Sequence, residues 1–337
     1  MSADFHSALR TNLRIQNRRS TRLDRLDLGI LKSLLLNNGV PPGYPTLRKS
    51  FRTIAKELGV DQGTVRKRIR AFQEQRVLKG WYLGISPGLT GHDVVYAWLS
   101  VENEDSKSRI IGKLLTETEV ERVCNYLGPK LSLVLFCKKG AEPDTLRRLE
   151  GRVGPGVTLH MQGRGNVPIY RPRTTELAII GSLQRDPWRQ YSVVAKEIGV
   201  SSRTVKRVVS RLSDGGLTYM LPIIDLKALQ GIVPVEVVVE YASPELKAEA
   251  NSRILPYVKE GLVFSDIRGP FGYFAIVVTN VSQVEQITRW VRQQNGVGDV
   301  HSEVLQDVML NQNHYGRQEI LARPEITTRR TKAGRTS

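Results

Sequence analysis

Apolar positions along the first ninety residues follow a helical period. Leu28, Ile30, Leu31, Leu34 and Leu35 fall on one face of a helix, and the turn-rich loop "NNGVPPGYP" follows. Phe51, Ile54, Ala55 and Leu58 form the inner face of a short second helix that Gly59 ends. Asp61 suits the N-cap of a third helix with Val65, Ile69 and Phe72 inward, and "VLKGWYLGIS" reads as two short strands around a tight turn, a β-wing. The period then changes. "DVVYAWLSVE" alternates as a strand, "SKSRIIGKLLTETEV" is helical, and "ERVCNYLG" and "KLSLVLFCK" are strands joined at Gly128-Pro129. "AEPDTLRRLEGRV" is a helix with Pro143 in its first turn, and "VTLHMQGR" is a closing strand. Three helices and a wing followed by β-α-β-β-α-β predict a winged helix-turn-helix and then a ferredoxin-like domain.

The pattern occurs twice. "AKELGV" at 55–60 returns as "AKEIGV" at 195–200, Thr64-Val65 returns as Thr204-Val205, and "DLGILKSLL" from Asp27 resembles "ELAIIGSLQ" from Glu176. "NYLGPKLSLVLF" from Asn125 resembles "DIRGPFGYFAIV" from Asp266, so the repeat is a two-domain module. The second module continues with "VPVEVVVEYA" as strand, "PELKAEANSRILPYVKEG" as helix, "LVFSDIRG" and "GYFAIVVTN" as a strand pair, "SQVEQITRWVRQQN" as helix and "DVHSEVLQDVML" as strand. The expected fold class is α+β, with two winged helix-turn-helix domains (22–88 and 174–228) alternating with two ferredoxin-like domains (92–163 and 231–311). A Gly- and Pro-containing linker at 164–173 joins the modules. A basic arm at 1–21 precedes them and a basic tail at 312–337 follows.

Charge adds a partner class. Across 337 residues, 50 Lys and Arg against 33 Asp and Glu give a net charge of +17, which calls for a polyanion, nucleic acid first. The two cysteines, Cys124 and Cys137, lack metal-ligand spacing and are expected to be reduced thiols. No apolar run reaches the ~20 residues a transmembrane helix needs, so no membrane partner is expected and the location expected is cytoplasmic, on the nucleoid.

The "AKELG"-turn-"TV" helix, the wing and the ferredoxin-like domain together resemble the Lrp/AsnC (feast/famine) transcription regulators, over roughly residues 22–310 and twice over. "SSRTVKRVVSRLSDGG" is similar to the recognition-helix motif of that family but has Val208 where arginine is usual. "DQGTVRKRIRAFQEQR" keeps Arg68 and has Phe72 for leucine and Arg76 for glycine. The resemblance implies a DNA-binding regulator that self-associates through its ferredoxin-like (RAM-type) domains. With two modules in one chain, that pairing is expected within the chain, between chains, or both. It also implies a small-molecule effector at the loop between the second and third strands. Here that loop is Gly128, Pro129 and Lys130 in one copy and Gly269, Pro270 and Phe271 in the other, without the family's usual acidic residue.

A recognition helix needs one face for packing and one for donors. With Val65, Ile69 and Phe72 inward, Gln62, Gly63, Arg66, Lys67 and Arg70 face out. Arg66 and Gln62 are placed to read base edges, and Lys67 and Arg70 to hold phosphates. The second outward set is Ser202, Arg203, Lys206, Arg207 and Ser210, so double-stranded DNA with two non-identical half-sites is the expected target. Trp81 and Tyr82 in the wing are open to either core or backbone contact. Val208 leaves two readings, a head that holds DNA less firmly or one that faces protein. Two other classes are weighed. One is an architectural DNA binder of low specificity, suggested by the basic arms. The other is a tetrapyrrole enzyme resembling the sirohaem decarboxylases, for which the histidines His6, His92, His160, His301 and His314 are too scattered. No catalytic or metal site and no cofactor are expected.

Overall fold

The computed structural model describes residues 21–35, 49–155, 157–165, 169–266 and 271–322. After a two-residue strand β1 (Thr21–Arg22), the first head comprises α1 (Arg25–Leu35), α2 (Phe51–Leu58) and α3 (Gln62–Glu74). Strand β2 (Leu78–Ile85) leads into β3 (His92–Val101), α4 (Lys107–Leu114), β4 (Val120–Tyr126), β5 (Lys130–Lys138), α5 (Glu142–Val153) and β6 (Val157–Gly165). The second half repeats the order. Its head is α6 (Thr174–Arg185), α7 (Tyr191–Ile198) and α8 (Ser202–Asp214), followed by β7 (Thr218–Ile224) and the short β8 (Leu229–Gln230). The remainder is β9 (Val233–Tyr241), α9 (Lys247–Val258), β10 (Leu262–Asp266), β11 (Phe271–Val278), α10 (Val281–Arg292) and β12 (Val297–Leu310). A last helix, α11 (Tyr315–Ala322), lies within the stretch read from sequence as tail. Among the described residues no helix is long and apolar enough to cross a membrane.

The two ferredoxin-like domains share one eight-stranded antiparallel sheet, in the order β10-β11-β9-β12-β4-β5-β3-β6. Strand β12 makes the join. Its first part, Val297 to Val304, pairs with β9, and its second part, Leu305 to Leu310, pairs with β4 of the first half. Its fourteen residues are long enough to serve the two partners in succession, with a register shift between Leu305 and Asp307 where the second pairing begins.

The expected hairpin wing is not what forms. "VLKGWYLGIS" supplies a single strand, and Gly80 sits inside it at a register shift. Strand β2 finds its hydrogen-bond partner in the other half, pairing antiparallel with β7 with Tyr82 opposite Leu221 and Leu83 opposite Met220. The reason is burial. Tyr82, Leu83 and Ile85 are each about 1% exposed, so this run needs cover on both faces, and a solvent hairpin has only one. Gly84 permits the crossing, because a Cβ there would stand 2.2 Å from the Tyr219 ring.

The heads are sewn to both halves. The first head's core of Ile30, Ile54, Val65 and Phe72 also takes in Ile224 and Leu229. The second head's core of Ile179, Val194, Val205 and Leu212 takes in Leu83, Ile85 and Phe136 from the first half. An aromatic stack crosses the join, Trp81 on Trp188 at 4.5 Å and Trp188 against Phe51 at 5.9 Å. Trp81 and Tyr82 therefore make protein contacts.

Helix α11 closes the second side. His314, just before it, is buried and shares a 2.9 Å hydrogen bond with the Tyr82 hydroxyl. Arg317 donates to the Gln184 carbonyl at 2.6 Å, and Ile320 is buried in the second head's core. Burial, with Arg317 and His92 nearby, pushes His314 down to about 4. Because that lies below the unfolded value, the unfolded chain takes up the proton first. Stability is then full above about pH 6.5 and falls as the pH drops towards 4, by about 3 kcal/mol. Urea unfolding of wild type and His314→Gln across that range is expected to show a stability difference that shrinks by about this amount on acidification.

Candidate nucleic-acid interface

Both recognition helices are built by the same local devices. Gly59 and Gly199 end α2 and α7 at φ 67° and 77°, a left-handed turn that glycine adopts without strain. The next helix starts on an N-cap. Asp61 accepts from Thr64 N at 2.9 Å, and Ser201 accepts from Thr204 N at 3.1 Å. Asp61 is held below the usual carboxylate range by its hydrogen bonds to Thr64. Val65, Ile69 and Phe72 are buried, as are Val205, Val209 and Leu212.

The repeated glutamate of "AKE" also has a structural task. Ser33 donates to Glu57 at 2.6 Å and Lys49 to the same carboxylate at 2.8 Å, fastening α2 to α1. In the second head Ser182 and Arg189 meet Glu197 in the same way.

Every residue predicted to face the groove is exposed. Gln62, Gly63, Arg66, Lys67 and Arg70 form one outward face, and Ser202, Arg203, Lys206, Arg207 and Ser210 form the other. Ser210 spends its hydroxyl on Asp214 at 3.1 Å. Each face is rich in guanidinium and ammonium groups on a rigid, capped helix, the arrangement needed to meet phosphates and base edges together.

The Val208 departure has an internal explanation. Arg68 of the first head binds Asp27 at 3.1 Å and Asp24 at 2.9 Å, so it anchors α3 to α1. Asp27 corresponds to Glu176, which is 1% exposed, and Glu176 pairs with Arg211, three residues on from Val208. The guanidinium has moved by about one helical turn while its acid stayed. Val208 is a buried core residue, so its side chain faces neither a DNA groove nor a protein partner. Sequence comparison of the copies could have found the exchange, since Arg211 stands where the first copy has Ala71.

The first expected effector loop is engaged by the chain itself. Gly128 turns at φ 84°, and the buried Lys107 ammonium donates to the carbonyls of Tyr126 at 2.6 Å and Gly128 at 2.5 Å. The Pro129 carbonyl accepts from Val101 N at 3.0 Å, and Lys130 bonds Glu303 of the second half at 2.6 Å. Of the second loop, Gly269 and Pro270 lie outside the described residues, and Phe271 opens β11 opposite Glu240. The basic arm up to residue 20 and the tail from residue 323 also lie outside them. Cys124 and Cys137 are buried free thiols that burial pushes up to about 12 and about 11.

No family model matches the chain. The HTH-type transcriptional regulator Ptr1 of Methanocaldococcus jannaschii is 35% identical over 124 residues, 37% of this chain and 69% of that protein. The HTH-type transcriptional regulator LrpA of Pyrococcus abyssi is 30% identical over 115 residues, 33% of this chain and 79% of that protein. A crystal structure of the siroheme decarboxylase NirDL overlays 88% of this chain and 99% of its own at 13% identity, with a TM-score of 0.49.

Proposed function

The chain belongs to the Lrp/AsnC family of transcription regulators, and from that footing we propose that its two heads read two non-identical half-sites of one operator. The carrying observation is the division of each recognition helix. The inner faces and caps are matched between copies, whereas Gln62, Gly63 and Arg66 are replaced outward by Ser202, Arg203 and Lys206. The β2–β7 pairing and the Trp81–Trp188 stack tie the heads to one frame, which supports a fixed spacing between half-sites. In this reading Arg66 and Arg203 meet base edges and Lys67, Arg70 and Arg207 hold phosphates.

The reading is regulatory and non-catalytic. Of the histidines in the described residues, His314 braces Tyr82, His92 stacks on Tyr315 at 5.7 Å, His301 lies edge-on to Trp98 at 5.7 Å, and His160 is exposed on β6. His92 lies near His314, and His160 stands opposite Trp98, the ring that His301 meets, in the sheet register.

Selection of bound duplexes from a random library tests the proposal. The expected outcome is an operator of two unlike half-sites, bound roughly 10³-fold or more above random DNA at physiological salt. A ratio near unity would make this an architectural binder instead.

A further inference from the structure

A cavity of about 200 Å³ lies under the first head, between α1, β7 and the facing surfaces of the two ferredoxin-like domains. Leu28, Leu31 and Leu35 form its roof and Ile223 one wall, and Val134 and Ala275 contribute from the two halves of the sheet. Two charged side chains reach it, Arg122 and Glu236. Burial pushes the Glu236 carboxyl up, opposed by its hydrogen bond with Tyr126 and by the charge of Arg122.

The internal repeat supplies a twin for this space. Val277 in the cavity wall corresponds to Phe136, and α1 corresponds to α6. On the twin side the space is filled by the chain itself. Phe136 meets the His314 ring edge-on at 5.2 Å, the imidazole bonds Tyr82, and α11 packs on α6 with Ile320 against Gly181. The imidazole is uncharged at neutral pH, since burial holds it down to about 4. Among the described residues, no segment directly following β6, the strand equivalent to β12, enters the first side. The chain after β6 is next described at Ile169, and Tyr170 N bonds the Gly88 carbonyl on the way to the second head.

We propose that the cavity under the first head is a binding site for an uncharged, largely apolar small molecule with an aromatic ring and one hydrogen-bonding group. The insert on the twin side defines the chemistry, a neutral ring in an aromatic and aliphatic setting with one polar contact. An occupant would touch α1 directly, and through it the frame that carries α3. The site is separate from the Gly128 loop, whose carbonyls hold Lys107.

The test uses the full chain without DNA, so it is independent of the operator reading. N-phenyl-1-naphthylamine, a neutral aromatic probe with one N–H, is titrated while its fluorescence is followed. Saturable binding of one probe per chain is expected, weakened at least about tenfold in Ala275→Phe, which fills the cavity from β11. Val134→Phe fills it from β5 and serves if the first variant does not fold, as judged by circular dichroism and thermal midpoint. Absent or non-saturable binding overturns the proposal. So does unchanged affinity in a folded filling variant, or two equivalent probes per chain.

Discussion

Arg211→Ala is expected to lower the unfolding free energy by about 3 kcal/mol, measured as a fall in the urea midpoint at unchanged slope. The carboxylate of Glu176 is 1% exposed, and Arg211 is its cationic partner from the recognition helix. Glu176 also accepts from the Tyr170 hydroxyl at 3.1 Å and from Arg173 N at 2.8 Å, and Arg211 is half exposed. Those remaining donors put the loss at the low end of what breaking a buried pair costs, ~3–5 kcal/mol. The matching change in the first head, Arg68→Ala, is expected to cost less. Arg68 is a partly exposed group, and Asp27 keeps its hydrogen bond with Asp24 N at 3.1 Å. The double change Val208→Arg with Arg211→Ala would carry the guanidinium back to the first head's position. It is expected to recover little, because Val208 sits in the core and an arginine there has to be accommodated among Val205, Val209 and Leu212.

Arg66→Ala is expected to relax base preference at one or two positions of the operator by about 1–3 kcal/mol, while Lys67→Ala weakens all sequences alike and reduces the salt slope by about one. The two side chains are neighbours on the same exposed face of α3. They differ in chemistry. A guanidinium can meet both acceptors of guanine at once, whereas an ammonium acts as a point charge on phosphate. Neither residue is part of the packed face, so thermal stability is expected to move by less than about 0.5 kcal/mol in either variant. Identical behaviour of the two variants across sequences and salt would remove the distinction between base reading and phosphate holding.

The helices and their inner faces were legible because a helix writes its packing locally. Val65, Ile69 and Phe72 recur at its period, and Gly59 and Asp61 mark its ends with their own conformational and hydrogen-bonding needs. What was not legible depends on partners distant in sequence. The run from Leu78 to Ile85 announces a strand, but only the tertiary arrangement decides that its partner is β7 and not a neighbouring hairpin arm. The same holds for β12, whose second part pairs with β4 some 180 residues earlier. Helix α11 was missed because "YGRQEILA" carries Gly316 near its start and a weak apolar period. It is fixed by tertiary contacts of His314, Arg317 and Ile320. At the interface, exposure of the outward residues was predictable from the buried set alone. The exchange of Arg68 for Arg211 was open to comparison of the two copies, but which acid each guanidinium meets needed the coordinates.

The central claim is that one chain carries two differently tuned reading heads on a fixed frame. Its most direct test is a base-by-base affinity profile of the selected operator for wild type, Arg66→Ala and Arg203→Ala. The account predicts that each variant loses preference in a different half-site, with the spacing between half-sites unchanged. Loss at the same positions in both variants, or a profile that neither variant alters, would contradict it.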